Sequence, residues 1–254
     1  MLPNNVLSIQ LWSTRQSDSL AEQFEYLRAC GYNDVQPHHD QYTDPPAMRA
    51  LLDEYGLTAR SGHFTLSMFE RDLDGVVDAA RILGMGLVVA PWLNPEDRPN
   101  DREGWQALGR KLATISREIR ERGLGFAWHN HEFEFVALPD GSCGLEHLLG
   151  EDVDLLMDIG WVHRAEQDPL VWLERYAGRI PAVHVKDVAA LGQNLDEMGF
   201  ADVGEGVMDW ARYWPAAVDA GAQLMIVEHD APSDWRRFAR VSAQAVRRLA
   251  GGSE

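Results

Sequence analysis

Short apolar runs alternate with longer segments of helical period along nearly the whole chain, the pattern of successive βα units feeding a parallel sheet. Eight runs read as strands, at 6–11, 34–36, 58–64, 86–91, 125–130, 153–158, 182–186 and 223–228. Helical segments follow at 19–30, 46–55, 68–83, 102–122, 144–149, 169–177, 208–220 and 233–249. Gly31, Gly56, Gly84, Gly123 and Gly221 each stand between a helical run and the next strand, where a left-handed residue ends a helix. Asp18, Asp44 and Asp168 precede helical runs and read as N-caps. The alternation predicts an α/β fold, a single (β/α)8 TIM barrel over residues 1–254, and no Pro- or Ser-rich linker divides it.

The length of 254 residues agrees with one such barrel. A composition of 45% hydrophobic and 25% charged residues is that of a globular chain with a large core. The formal charge of −17, with no basic run, argues against nucleic acid as a partner. Cys30 and Cys143 form no CxxC pairing, so neither a disulfide framework nor a thiolate metal site is expected, and a reducing cytoplasm is the simplest compartment. The first residues carry no basic region followed by an apolar stretch, and no apolar run reaches the roughly 20 residues that cross a bilayer, so neither export nor membrane insertion is expected.

Strands of a closed parallel barrel should be almost wholly apolar, yet four late ones end on ionisable residues. They are Phe126-Ala127-Trp128-His129-Asn130-His131-Glu132, Leu155-Leu156-Met157-Asp158, Val183-His184-Val185-Lys186-Asp187 and Met225-Ile226-Val227-Glu228-His229-Asp230. Strand C-termini of such barrels carry the active site. His129, Asp158, His184 and Glu228 are therefore expected to converge as metal ligands. Singly, each is more often a cap or a loop tether than a ligand. Together, two imidazoles and two carboxylates suit one divalent ion, Mn²⁺ foremost, with Mg²⁺, Co²⁺, Zn²⁺ or Fe²⁺ as alternatives.

At these residues the chain resembles the sugar phosphate isomerase/epimerase family of xylose-isomerase-like barrels. The likeness is carried by Ser8-Ile9-Gln10-Leu11-Trp12-Ser13, Leu52-Asp53-Glu54-Tyr55-Gly56-Leu57 with Ser61-Gly62-His63, and His129-Asn130-His131-Glu132-Phe133-Glu134-Phe135. It continues through Asp158-Ile159-Gly160-Trp161-Val162, Ala177-Gly178-Arg179-Ile180, Val183-His184-Val185-Lys186-Asp187-Val188, Val203-Gly204-Glu205-Gly206-Val207-Met208-Asp209-Trp210 and Val227-Glu228-His229-Asp230. The resemblance implies a metal held by Glu, Asp, His and Glu on the fifth to eighth strands. Asp158, His184 and Glu228 match. The fifth-strand Glu is replaced by His129, although a shifted register would bring Glu132 or Glu134 to the metal.

What the resemblance implies about activity is a sugar or polyol substrate and proton abstraction next to a carbonyl through an enediolate, as in a sugar isomerase or epimerase. Dehydration or lyase chemistry on a keto-inositol, 3-keto sugar or glycoside is the second reading, and a non-catalytic sugar-binding protein the third. Glu228 is the expected base. His131 or His129 would return a proton or protonate a leaving oxygen, because an imidazole titrates near neutrality. Lys186 shares a strand face with His184 and either binds a substrate oxygen or pairs with a strand-end carboxylate. His63, Glu134, Trp161 and Glu205 are expected at the substrate, and Trp12 and Trp92 offer aromatic faces to a sugar. His38 and His39 suit a loop or pocket rim. A homo-oligomer is compatible with the chain.

Overall fold

The computed structural model describes residues 5–251. The start of the chain, on which the expectation about export partly rests, lies outside the described residues. Eight parallel strands form the barrel wall: β1 (Ser8–Gln10), β2 (Asp34–Gln36), β3 (Ser61–His63), β4 (Leu87–Ala90), β5 (Gly125–His129), β6 (Asp154–Asp158), β7 (Ala182–Val185) and β10 (Leu224–Val227). Their order is β2-β1-β10-β7-β6-β5-β4-β3. The ring closes between β2 and β3, where the Val35 N–H donates to Thr58 O and the His63 N–H to Pro37 O, both at 2.9 Å. Asp34 stitches this seam from inside: its carboxylate accepts from Ser8 Oγ at 2.7 Å and from Thr58 Oγ1 at 2.6 Å. The result is the expected TIM barrel.

Around the wall lie α1 (Leu20–Ala29), α2 (Pro45–Tyr55), α3 (Leu66–Arg71), α4 (Leu73–Leu83), α5 (Arg102–Glu121), α6 (Gly144–Leu149), α7 (Ile159–Arg164), α8 (Pro169–Arg175), α9 (Trp210–Asp219) and α10 (Trp235–Leu249). The five glycines expected to stop helices all take positive φ, from 63° at Gly56 to 110° at Gly221. Asp44 and Asp168 cap α2 and α8 as expected. Ser19, not Asp18, caps α1, its hydroxyl accepting the Glu22 N–H at 3.2 Å. The helix expected over 68–83 is two helices, because Asp72 leaves helical geometry (φ −152°) and caps α4 by accepting the Gly75 N–H at 2.9 Å. Two short strands, β8 (Asp187–Val188) and β9 (Phe200–Ala201), pair antiparallel above the barrel and are too brief to show a period. Among the described residues no helix is long and apolar enough to cross a membrane.

Strand alternation divides the core into two parts. Val183, Val185, Met225, Val227, Leu155, Met157, Phe126 and Trp128 join the large cluster between wall and helices. Their neighbours point inward, where Val6, Leu87, Val89, Ala127, Leu156, Ala182, Leu224 and Ile226 form a second apolar cluster. One inward position further along, the side chains turn polar. Gln10, Gln36, His63, His129, Asp158, His184 and Glu228 are all buried there, at the end of the barrel that holds the βα loops.

Candidate active site

Asp158 closes β6 in a position set twice over. Its backbone N–H donates to Asn130 Oδ1 at 2.9 Å, and Asn130 Nδ2 donates back to the Asp158 carbonyl at 3.3 Å. Its carboxylate then splits its work, because Oδ1 accepts the Trp161 N–H at 2.8 Å and so starts α7. Oδ2 is left facing the barrel interior. His184, its register partner on β7, brings Nδ1 to 3.6 Å from that oxygen while Nε2 lies 2.7 Å from Gln36 Oε1. His129, at the end of β5, has Nε2 at 4.0 Å from Asp158 Oδ2. Its ring stacks on His131 (centroids 4.7 Å apart, planes at 11°) and stands edge-on to His184 at 4.5 Å.

Three carboxylates surround one ammonium. Lys186 Nζ is 2.9 Å from Asp158 Oδ2, 2.5 Å from Glu228 Oε2 and 2.6 Å from Asp230 Oδ2, and the Lys186 side chain is wholly buried. The ion pair expected for Lys186 is present. Burial opposes its charge, but Asp158, Asp230 and Glu228 together raise its pKa, so it stays an ammonium. Burial opposes the charge of Asp158 too, yet Lys186 and then His184 hold its carboxyl below the usual range. Glu228 goes the other way, pushed up to about 8 by burial and by Asp230 against the pull of Lys186.

These residues fit a divalent ion. One atom from each of Asp158, His184 and Glu228 lies within 4.8 Å of the others. His184 Nδ1 is buried with no hydrogen-bond partner among the described residues, and Asp158 Oδ2 and Glu228 Oε2 beside it meet Lys186 Nζ. Three carboxyl groups against one ammonium give the cluster an acidic excess, and the Glu228 carboxyl, held up to about 8 without a cation, would ionise beside one. A second grouping, His63, His129 and His184, is equally close-set.

A cavity of about 410 Å³ opens above this cluster, and His129, Glu228 and Asp230 line it together with Gln10, Trp12, His38, His39, His63, Trp92 and His131. His38 and His39 thus sit at its rim, and Trp12 and Trp92 offer it aromatic faces. The histidines differ from expectation in one respect. Burial pushes His131 down to about 3 and His129 well below the usual imidazole range, so near neutral pH both are uncharged rings rather than imidazolium acids.

Other residues expected at the substrate lie elsewhere. Glu134 is fully buried beneath the loop after β5, accepting from Trp128 Nε1 at 2.9 Å and the His131 N–H at 2.8 Å. It shapes that loop instead of lining the cavity. Glu205 is exposed on the loop after β9. Trp161 packs its ring 4.8 Å from Lys186 Nζ and 5.3 Å from His131, backing the cluster without lining the cavity. Asp230, Gln10 and Gln36 belong to the site although no role is expected for them from sequence. For the glutamines the available signal was the alternation already used for Lys186, since Gln10 and Gln36 are the last inward residues of β1 and β2.

The family model described as the xylose isomerase-like TIM barrel matches residues 24–249. The chain belongs to that family. Over 180 residues it is 32% identical to the rhizopine catabolism protein MocC of Rhizobium meliloti, a match covering 64% of this chain and 55% of that protein. Over 146 residues it is 29% identical to an inosose dehydratase of Lacticaseibacillus casei, covering 52% and 49%. The chain thus spans about half the length of these relatives. Among solved structures, a sugar phosphate isomerase/epimerase from Parabacteroides distasonis superposes with a TM-score of 0.80 at 20% identity, covering 95% of this chain and 93% of the other. The IOLI protein, solved with a bound zinc atom, gives 0.75 at 14% identity, covering 97% and 98%. At such identities the likeness speaks for the barrel alone.

Proposed function

We propose that this chain is a divalent-metal-dependent enzyme that removes the proton beside the carbonyl of a keto-inositol or related keto sugar and expels a neighbouring hydroxyl as water. The observation that carries this reading is the acidic excess of Asp158, Glu228 and Asp230 over Lys186 at the foot of a 410 Å³ cavity. Asp158, His184 and Glu228 would hold the ion, with His129 beside them, and the ion would supply Lewis-acid polarisation of the carbonyl.

Glu228 is the base: its carboxylate lines the cavity beside the place of the ion, within reach of a substrate held there. The C–H electrons form the new double bond and the C–O bond breaks, and the hydroxyl leaves as water with the proton that Glu228 took from carbon, which restores the Glu228 carboxylate. His131, a neutral ring on the cavity wall, offers a hydrogen bond to the departing oxygen. Trp12 and Trp92 pack against the C–H face of the ring and exclude water from it.

Isomerisation or epimerisation is the second reading, and it would use the same cluster and cavity. It shares the base: isomerisation can return the proton through Glu228 itself, whereas epimerisation needs a second group on the opposite face. The cavity wall supplies neutral histidines there in place of a second glutamate, which speaks against epimerisation.

The test is a screen of keto-inositols, 3-keto glycosides and ketoses with Mn²⁺ in deuterated water. Loss of water from a keto-inositol is expected, with Glu228→Gln slowing turnover about 10²- to 10⁴-fold while binding persists. Deuterium entering carbon without loss of water assigns the isomerase reading. Binding with no turnover of any compound overturns both in favour of a binding protein.

A further inference from the structure

A chain of hydrogen bonds runs from a backbone amide to two of the imidazoles, and its polarity is set at its first link. The Trp12 N–H can only donate, and it lies 2.8 Å from Gln10 Oε1. Gln10 therefore turns its amide nitrogen inward, donating to Gln36 Oε1 and to His63 Nδ1, both at 3.0 Å. Reversing either glutamine would set two donors face to face. Gln36 Nε2 then donates to Ser61 Oγ at 2.8 Å, and the second lone pair of Gln36 Oε1 faces His184 Nε2 at 2.7 Å. Gln10, Gln36, Ser61 and His184 are each 0% exposed, so water cannot substitute for a missing partner.

We infer that Gln10 and Gln36 are positioning residues that sort two histidines into opposite roles. His184, donating through Nε2, keeps the lone pair of Nδ1 for a cation beside Asp158 and Glu228. His63, accepting at Nδ1, carries its proton on Nε2 and is a hydrogen-bond donor, not a ligand. Of the two close-set groupings, the one containing His63 is thereby disqualified, and the ion goes to the grouping that contains carboxylates. This choice matters for the metal taken. An all-imidazole site suits Zn²⁺, Cu²⁺ or Ni²⁺, whereas a mixed oxygen and nitrogen site also accepts Mn²⁺ and Mg²⁺. The inference rests on the metal reading above only where the cation is concerned, since the tautomers belong to the metal-free protein.

The experiment is a long-range proton–nitrogen NMR correlation on the metal-free protein, with the two rings assigned through His63→Gln and His184→Gln, alongside Mn²⁺ titration calorimetry. Both rings are expected to carry the proton on Nε2. Gln36→Leu should mix the tautomers of His184 and weaken Mn²⁺ binding about 10- to 100-fold, the usual effect of losing a partner that orients a ligating histidine. Gln36→Glu, still an acceptor for His184 Nε2–H, should restore the single tautomer and the affinity. A merely structural Gln36 would shift stability and leave the tautomers alone. A wild-type His184 protonated on Nδ1, or a folded Gln36→Leu that binds Mn²⁺ as tightly as wild type, overturns the inference. If Gln36→Leu does not fold, the wild-type spectrum and Gln36→Glu decide. Should the wild type bind no divalent ion, the metal reading falls while the spectra still judge the relay.

Discussion

Gly160 lies against the stem of Lys186: a Cβ built on it would stand 2.8 Å from both Lys186 Cγ and the Lys186 carbonyl oxygen. The first turn of α7 thus has room for the buried ammonium only because position 160 has no side chain. Gly160→Ala should cost about 1–3 kcal/mol, the range for overpacking a filled core. Gly86→Ala, whose Cβ would meet nothing within 4 Å, should stay within about 0.5 kcal/mol of wild type. Denaturant midpoints of the two variants check the contrast.

Lys186→Met removes the ammonium pressed among Asp158, Glu228 and Asp230. Breaking a buried ion pair at one partner costs about 3–5 kcal/mol, because the remaining charges stay desolvated. A divalent ion can replace part of that compensation. Melting temperatures with and without Mn²⁺ should therefore show a low value for the metal-free variant and a larger metal-induced rise than in wild type. Equal melting of the two metal-free proteins would show that the ammonium contributes no net compensation.

The barrel was legible in the chain because two periods alternate in it and glycine punctuates each return to a strand. The inward turn of Asp158, His184 and Lys186 followed from the same alternation. What was hidden depended on depth and on partners. Nothing in the run His129-Asn130-His131-Glu132-Phe133-Glu134 reveals that Glu134 dives under its own loop to meet Trp128. Burial likewise moves His129 and His131 far from their ordinary titration, and burial is a property of the packed barrel. Gln10 and Gln36 went unassigned because an uncharged amide at a strand end signals no chemistry until its partners are known.

Glu134 makes stability depend on pH. Burial pushes its carboxyl up to about 8, against the hydrogen bonds from Trp128 Nε1 and the His131 N–H, while in the unfolded chain it titrates near 4.3. The folded state therefore holds this proton more tightly. Its contribution is complete below about pH 4.3 and is lost as pH rises toward 8, on the order of a few kcal/mol. Glu134→Gln cannot titrate, but it turns an amide NH₂ toward one of the two N–H donors, at a cost of about 1–3 kcal/mol. The stability advantage of wild type over Glu134→Gln should shrink steadily between pH 5 and 8, read from urea unfolding at each pH. A constant difference would place the Glu134 proton elsewhere.

His129→Glu tests why the fifth strand departs from the family pattern. The position is 3% exposed, and His129 Nε2 stands 4.0 Å from Asp158 Oδ2, so a glutamate there would add a carboxylate to a cluster that already holds three around one ammonium. Without metal the new charge has no counterpart, so the variant should be less stable than wild type, with one carboxyl held protonated. With metal the sign reverses. An additional oxygen ligand should tighten Mn²⁺ and Mg²⁺ more than Zn²⁺, because a carboxylate replaces the softer imidazole. A tenfold gain in Mn²⁺ affinity corresponds to about 1.4 kcal/mol. Titration calorimetry with Mn²⁺ and Zn²⁺, paired with melting of the metal-free protein, reads both halves. A variant of undiminished metal-free stability and unchanged affinity would show that position 129 faces no cation, leaving Asp158, His184 and Glu228 as the whole protein ligand set.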